Sequence, residues 1–147
     1  MKNVLLLLAD GFELFEASAF IDVLGWNLVE GDGSTKLFSC GLTKDLTSTF
    51  GQKITVDFLI DEINVNDYDA LAIPGGFEQF HFYEQAFDSS FLEVIKSFDE
   101  RKNPIASICT GALPIAKSGI LTDRKATTYN QNEVRQNMLM EFGAEVV

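Results

Sequence analysis

The sequence predicts a three-layer α/β domain with a mostly parallel sheet. Short apolar runs at residues 4–9, 70–73 and 105–108, the last interrupted only by Ser107, are expected for strands that are covered on both faces. Helix-forming segments stand between these runs, and alternating strands and helices favour a parallel sheet packed between helices. The 147 residues contain no repeat, low-complexity segment or linker, so we expect one domain spanning residues 1–147.

The first half of the chain is predicted to turn from strand into helix at Asp10 and Gly11. Its elements are, in chain order, a strand at 4–9, a helix at 13–29, a strand at 36–42, a hairpin within 45–58 around Gly51, and a short helix or loop at 61–68. Five apolar residues at helical spacing are expected to place the 13–29 helix on the sheet: Leu14, Ala17, Ile21, Leu24 and Leu28.

The second half continues the alternation and ends in a strand. Its elements are a strand at 70–73, helical segments at 77–87 and 89–101, a strand at 105–108, a helix at 112–117, a strand at 125–129, a helix at 133–142 and the start of a strand at 144–147. The inner face of the 89–101 helix is predicted to comprise Phe91, Val94, Ile95 and Phe98. Ligands bind at the carboxyl ends of strands in such folds, which points to residues 10–16, 75–76 and 109–110.

Cys109 occupies a sharp turn between the strand at 105–108 and the helix at 112–117. Such a turn brings neighbouring backbone close together and requires small residues on either side, which Ser107 and Gly111 supply. A thiol at this position points outward beside the positive end of a helix, which favours thiolate over thiol. The pattern predicts a nucleophilic or redox-active cysteine.

Gly75 and Gly76 closely follow the strand at 70–73. A pair of glycines there permits close backbone approach, so that their amides could bind a negatively charged oxygen. The alternative is that the two glycines only permit a turn of the backbone and bind no anion. His81, the only histidine, lies five residues beyond Gly76 and could supply a base, although its aromatic neighbours favour a structural contact.

The composition argues against several classes of function. Eleven Lys and Arg against 22 Asp and Glu give a net charge of -11, so we expect neither nucleic acids nor anionic membranes as partners. No apolar run is long enough to span a bilayer and none reads as a signal sequence, which predicts a cytoplasmic protein. A single histidine and the absence of a shared carboxylate site predict no metal, and the lack of a phosphate-binding glycine pattern predicts no nucleotide cofactor.

The second cysteine, Cys40, lies within the apolar strand at 36–42. Buried cysteines are usually inert, and we expect Cys40 to be one of them. A disulfide with Cys109 is not expected, because a strand interior and the tip of a turn would have to meet. Two cysteines without a secretory signal also fit a reducing compartment.

Five motifs extend along nearly the whole chain in the order found in a known family. They are ADGFELFE at 9–16, IPGG at 73–76, ASICTG at 106–111, KSGIL at 117–121 and ATTY at 126–129. Together they resemble the ThiJ/PfpI superfamily of class I glutamine amidotransferase-like proteins. The resemblance implies a flavodoxin-like fold and a cysteine-dependent activity on small electrophiles that needs no cofactor.

The resemblance assigns roles residue by residue. Cys109 matches the reactive cysteine, and Glu16 matches the carboxylic acid that hydrogen-bonds its thiol. Gly75, Gly76 and Thr110 match the positions around the oxyanion pocket. A protonated Glu16 that donates to the sulfur would favour the thiolate and lower the pKa of Cys109.

Several departures from the family pattern bear on function. Many relatives carry a histidine directly after the cysteine or near the region of Tyr129, where this sequence has Thr110 and Tyr129. Threonine after the cysteine resembles the isocyanide-hydratase-like and regulator-associated branches, and His81 and Tyr129 are accessory candidates. The family's last strand and helix are expected to be missing after Val147, and a homodimer is an expectation of the resemblance alone.

Three functional hypotheses follow. The first is an enzyme acting on an α-oxoaldehyde, a glycation adduct or an isocyanide, with Cys109 as nucleophile and Glu16 as proton carrier. The second is a stress-response protein whose Cys109 is reversibly oxidised by a small oxidant. The third is a ligand-sensing module in which Cys109 is unreactive.

Overall fold

A parallel sheet of five strands forms the centre of the molecule in the computed structural model, which describes residues 1–147. Its strands are β1 Lys2–Leu8, β2 Thr35–Gly41, β5 Phe58–Leu59, β6 Ala70–Ile73 and β7 Ile105–Ser107. They follow the order β5-β2-β1-β6-β7. The helices are α1 Leu14–Glu30, α2 Phe82–Ala86, α3 Ser89–Glu100, α4 Ala112–Lys117 and α5 Glu133–Glu141. None of them combines the length and apolar character that a membrane span requires.

β1 lies in the middle of the sheet, where it pairs with β2 on one side and β6 on the other. Leu5, Leu6, Leu7 and Leu8 are all at most 2% exposed, because successive side chains point to two covered faces. The continuous apolar run is therefore a requirement of this central position. The strands predicted at 70–73 and 105–108 are confirmed as β6 and β7.

Two hydrophobic cores lie on opposite faces of the sheet. On one face, Leu5 and Leu7 pack against residues of α2 and α3, which are Phe82, Ala86, Phe91, Val94, Ile95 and Phe98. On the other face, Leu6 and Leu8 pack against Ala17 of α1 and Leu46. Leu46 belongs to a hairpin formed by β3 Asp45–Thr47 and β4 Lys53–Thr55. The flavodoxin-like α/β architecture is thus confirmed.

α1 has the predicted extent but not the predicted inner face. Ala17 is buried and Leu24 is half-buried, whereas Ile21 is 43% and Leu28 is 39% exposed. Phe20, which was not assigned to the inner stripe, packs against the core. The helix is apolar on nearly every side, so its periodicity could not determine which side faces the sheet.

The segment predicted as a short helix or loop at 61–68 and the helical segment predicted at 77–87 are both irregular in the structure. Residues 61–68 contain only two 3-10 turns, Ile60–Glu62 and Val65–Asp67. Residues 77–87 are interrupted at His81, whose φ of 65° lies in the left-handed region. A 3-10 turn precedes His81, and α2 begins directly after it.

The last predicted strands form a small separate sheet. The strand expected at 125–129 is only β8 Lys125–Ala126, and the strand expected at 144–147 is β9 Glu145–Val146. The two pair with each other in parallel, apart from the main sheet. β5, which joins the edge of the main sheet beside β2, was not predicted as a separate strand.

Phe91→Ala is expected to lower the free energy of unfolding by about 3–5 kcal/mol, because it leaves a cavity beneath α3. The wild-type ring is fully buried. Phe50→Ala is the matched control, since Phe50 is 77% exposed, and it should change stability by no more than about 0.5 kcal/mol. Urea unfolding followed by circular dichroism measures both. Equal losses would show that this face of the sheet carries no core.

Candidate active site

Cys109 lies at the carboxyl end of β7, in the turn that leads into α4. Its φ of 52° is in the left-handed region, which costs a residue with a side chain about 1–3 kcal/mol. Gly111 permits the turn, because a Cβ there would come within 2.5 Å of the Ile73 carbonyl oxygen. The predicted strand-to-helix turn is therefore confirmed, and it leaves Cys109 half-buried.

A hydrogen bond that the sequence did not predict holds this turn from the other side. Thr128 Oγ1 donates to the Cys109 carbonyl oxygen over 2.8 Å. Thr128 follows β8, in the segment where the predicted strand is absent, so the chain is free to bend toward the turn. Its place in the ATTY motif, beside Tyr129, is the only signal in the sequence that points to it.

Glu16 lies in the first turn of α1 and faces Cys109. The Gly75 N–H donates to Glu16 Oε2 over 2.6 Å, and the carboxyl lies close enough to the Cys109 thiol for each group to shift the pKa of the other. The start of α1 is held on the same loop, because the Glu13 N–H donates to the Gly75 carbonyl oxygen over 2.8 Å. The fold thus brings the predicted carboxyl, glycine and cysteine together from three distant segments.

The two glycine amides are already paired in the resting site. The Gly75 N–H is used by Glu16, and the Gly76 N–H donates to Thr110 Oγ1 over 2.9 Å. The Thr110 hydroxyl donates in turn to the Gly76 carbonyl oxygen over 2.6 Å. Either amide could bind an oxyanion only after exchanging its present partner.

Burial raises the pKa of both members of the central pair. For Cys109, burial is the main cause, the negative charge of Glu16 raises the pKa further, and the Thr110 backbone N–H opposes the shift. For Glu16, burial outweighs hydrogen bonds from Gly75 and Cys109 that lower the pKa. The expectation that Glu16 lowers the pKa of Cys109 concerns a protonated Glu16 and stays a prediction; an ionised Glu16 raises that pKa. The resting pair is a thiol beside a carboxylate with raised proton affinity, which suits proton transfer from sulfur to oxygen.

The two accessory candidates are not partners of the thiol. His81 is 69% exposed in its side chain, and its Nδ1 lies 2.9 Å from Glu84 Oε1. It lines a polar surface groove together with Asp10, and it is not among the groups that shift the pKa of Cys109. Tyr129 is 37% exposed. Cys109 consequently has a carboxyl partner and no histidine partner.

A buried arginine beside the site was not predicted. Arg135 of α5 is 7% exposed and pairs with Glu78, two residues beyond Gly76. Its guanidinium lies 5.7 Å from the centre of the Tyr83 ring, whose hydroxyl is buried without a hydrogen-bond partner. Burial raises the pKa of Tyr83, against the charge of Arg135 and a contact with Thr110. This cluster ties α5 to the glycine loop.

The structure shows neither a second reactive cysteine nor a cluster of metal ligands. Cys40 is fully buried, and burial raises its pKa to about 12. Both cysteines are free, so the prediction that no disulfide joins them is confirmed. No three His, Cys, Asp or Glu side chains are arranged to hold a metal ion.

The DJ-1/PfpI family profile matches residues 2–147. The chain belongs to the DJ-1/PfpI family. This is the family that the five sequence motifs resemble, and the match covers every residue of the candidate site.

Individual DJ-1/PfpI relatives are similar over different lengths. General stress protein 18 of Bacillus subtilis is 37% identical over 95 residues, which are 65% of this chain and 52% of that protein. A deglycase of Pyrococcus abyssi is 30% identical over 129 residues, which are 86% of this chain and 72% of that protein. The crystal structure of Drosophila melanogaster DJ-1beta superposes with a TM-score of 0.82 at 22% identity, over 99% of this chain and 73% of that chain. This DJ-1/PfpI chain therefore spans about half the length of the stress protein and about three quarters of DJ-1beta.

Glu16→Gln is expected to move the pH midpoint of Cys109 alkylation to lower pH, because it removes the negative charge that raises the pKa of the thiol. Alkylation at neutral pH should then become faster. Iodoacetamide labelling followed by mass spectrometry measures the rate at each cysteine. Cys40 provides an internal control and should stay unmodified while the protein is folded.

Glu13→Gln is the matched control for this measurement, since Glu13 is a neighbouring acid that does not shift the pKa of Cys109. It should leave the alkylation midpoint unchanged. A midpoint that instead moves to higher pH in Glu16→Gln would show that the wild-type carboxyl is protonated and donates to a thiolate.

Gly75→Ala is expected to destabilise the protein by about 1–3 kcal/mol through overpacking. The new Cβ would lie 2.6 Å from Thr110 Oγ1 and 3.0 Å from Glu16 Oε2, so both hydrogen bonds must shift. Gly25→Ala is the matched control, because a Cβ at this position in α1 meets nothing within 4 Å. That variant should gain about 0.5–1 kcal/mol from helix propensity. Chemical denaturation compares them, and equal effects would contradict the close packing at Gly75.

Proposed function

We propose that this chain is a cofactor-independent enzyme that converts α-oxoaldehydes, or their adducts with protein, through a covalent intermediate on Cys109. The observation that carries the proposal is a half-buried Glu16 carboxyl, held by the Gly75 N–H, beside the Cys109 thiol. Burial raises the proton affinity of this carboxyl, which makes it a better base near neutral pH. The similarity to a deglycase of Pyrococcus abyssi favours α-oxoaldehydes over isocyanides as the substrate class.

The first step is addition of the sulfur to the aldehyde carbon. As the carbon–sulfur bond forms, the thiol proton passes to Glu16 and the carbonyl electron pair moves to the oxygen. Glu16 then returns the proton to that oxygen, which gives a neutral hemithioacetal. Proton transfer concerted with attack means that Cys109 does not need a low pKa in the resting enzyme.

The following steps are an internal rearrangement and a hydrolysis, with no net oxidation by an external reagent. Glu16 removes the proton from the carbon bound to sulfur, the electron pair forms a double bond to the neighbouring carbon, and Glu16 returns the proton to the former carbonyl oxygen, which gives an enediol. Glu16 then takes the hydroxyl proton of the carbon bound to sulfur and delivers a proton to the neighbouring carbon, which leaves a thioester of a 2-hydroxy acid on Cys109. Water cleaves the thioester, releases the acid and restores the thiol. The Thr110 backbone N–H, close to the sulfur, is the donor best placed for the developing oxyanion.

Cys109→Ser and Glu16→Gln are both expected to lose turnover of methylglyoxal, a small α-oxoaldehyde. Removal of a general base typically costs about 10²–10⁴-fold in rate, whereas loss of the nucleophile removes the covalent route. Loss of the dicarbonyl and appearance of the 2-hydroxy acid are measured together by chromatography, with an isocyanide tested in parallel. Glu13→Gln and Cys40→Ala are the controls and should retain turnover.

The combination of results at Glu16 is diagnostic. Glu16→Gln should alkylate faster at Cys109 and yet turn over more slowly, because only turnover needs a proton acceptor. Full turnover by Cys109→Ser would contradict the covalent mechanism. Selective oxidation of Cys109 by dilute peroxide, without turnover of any carbonyl, would favour a redox-sensing role instead.

A further inference from the structure

The Tyr83 hydroxyl is buried and has no hydrogen-bond partner, and it is the only side-chain group of the chain in that condition. The proposed reaction does not involve it. Buried hydroxyls are normally paired, because burial without a partner destabilises the folded state. A buried hydroxyl that is unpaired in the resting protein is explained when it gains a partner in another state of the site.

Tyr83 belongs to α2, and its ring is held on several sides. The ring centres of Phe82 and Phe87 lie 5.2 Å and 4.8 Å from its own, and the Arg135 guanidinium lies 5.7 Å from it. The hydroxyl lies close enough to the Thr110 side chain for that contact to influence its pKa. A ring packed in this way keeps its hydroxyl beside Thr110, the residue that follows the nucleophile.

Thr110 Oγ1 has room for a second donor. It accepts the Gly76 N–H over 2.9 Å and donates to the Gly76 carbonyl oxygen over 2.6 Å. A hydroxyl oxygen can accept two hydrogen bonds, so one acceptor position of Thr110 remains. Water does not reach this position, because Thr110 is fully buried. The Tyr83 hydroxyl is a neighbouring donor that has no partner of its own.

The amides of Gly75 and Gly76 differ in what they hold. The Gly75 N–H fixes the Glu16 carboxyl, so its release would loosen the base of the proposed reaction. The Gly76 N–H fixes only the Thr110 hydroxyl. Its release leaves Thr110 Oγ1 without a donor unless another group replaces the amide. The Gly76 amide is therefore the one that can turn to a substrate oxygen while Glu16 stays in place.

We propose that Tyr83 is a positioning residue whose hydroxyl replaces the Gly76 N–H as donor to Thr110 Oγ1. The released amide binds the oxyanion that forms when the thiol attacks a carbonyl, so the inference rests on the proposed function. As the carbon–sulfur bond forms, the thiol proton passes to Glu16 and the carbonyl electron pair moves to the oxygen. This oxygen then has two donors, the Gly76 N–H and the Thr110 backbone N–H. Tyr83 keeps its proton throughout.

Two contacts of Arg135 fit this role. Its positive charge near the Tyr83 ring makes the hydroxyl a stronger donor, while burial raises the pKa of Tyr83 and keeps the hydroxyl protonated at neutral pH. Its ion pair with Glu78 holds the loop two residues beyond Gly76. The loop thus stays attached to α5 while the amide changes its partner.

Addition of trifluoroacetone tests the exchange without turnover. Its carbonyl carbon carries no hydrogen, so the reaction stops at the tetrahedral adduct on Cys109, which fluorine NMR quantifies. Tyr83→Phe keeps the ring and should weaken adduct formation by about 10-fold, less than the roughly 10²–10³-fold of a lost oxyanion donor. Tyr68→Phe is the matched control and should behave like wild type, because Tyr68 is a buried tyrosine that does not shift the pKa of Cys109.

Turnover of methylglyoxal gives a second readout. Tyr83→Phe should lower kcat and kcat/KM by the same factor of about 10 and leave KM unchanged, because the oxyanion exists only after attack. In a Thr110→Val background, which removes the shared acceptor, Tyr83→Phe should have no further effect. Equal effects in both backgrounds would show that the hydroxyl does not act through Thr110 and would overturn the proposal.

Urea unfolding separates a positioning role from a structural one. Loss of a hydroxyl that has no partner in the resting protein should leave the urea midpoint of Tyr83→Phe equal to that of wild type or higher. A lower midpoint, or unchanged adduct formation, would overturn the proposal. Absence of any adduct in wild type has a different meaning: it would contradict the proposed function, and this inference with it, because Cys109 would not attack a carbonyl carbon.

Discussion

The hydrogen bond from the Gly75 N–H to the Glu16 carboxyl is the contact on which the candidate site depends. It joins the first turn of α1 to the loop after β6 and aims the carboxyl at Cys109. A side chain at position 75 would occupy the same space as Thr110 and Glu16. The bond also favours an ionised Glu16 against the desolvation that raises its pKa. One short contact thus fixes the position of the carboxyl beside the thiol and partly offsets the rise in its pKa that burial causes.

The turn at Cys109 shows how a strained residue is kept in place. Its left-handed backbone is held by the close approach of Gly111 to Ile73 and by the hydrogen bond from Thr128. Backbone strain persists where the surrounding structure determines the conformation more than once. The result is a half-buried thiol whose pKa is raised by burial and by the negative charge of Glu16.

α1 contributes Glu16 to the candidate site and also exposes large apolar side chains at the surface of the molecule. Its inner side packs on the sheet through Ala17, and its first turn carries Glu16. Its outer side exposes Phe15 and Trp26 to water in a single chain. A helix with this composition is normally covered on both sides.

The sequence by itself determined the parallel α/β layers and the turn at Cys109, because buried strands and the small residues of a tight turn are local signals. The pairing of Glu16 with Cys109 was implied only by the resemblance to a family, since the periodicity of the first helix does not distinguish Glu16 from Glu13. Tertiary structure alone decided that the pKa of Cys109 is raised, since that depends on burial and on the charge of Glu16. The tertiary structure also brings Thr128 to Cys109 and Arg135 to Glu78. These partners are distant in sequence, so no local pattern of residues predicts the contacts. The inner face of α1 was misassigned at Ile21 and Leu28 for a related reason. A helix that is apolar on every side carries no information about which side meets the sheet until the sheet is there.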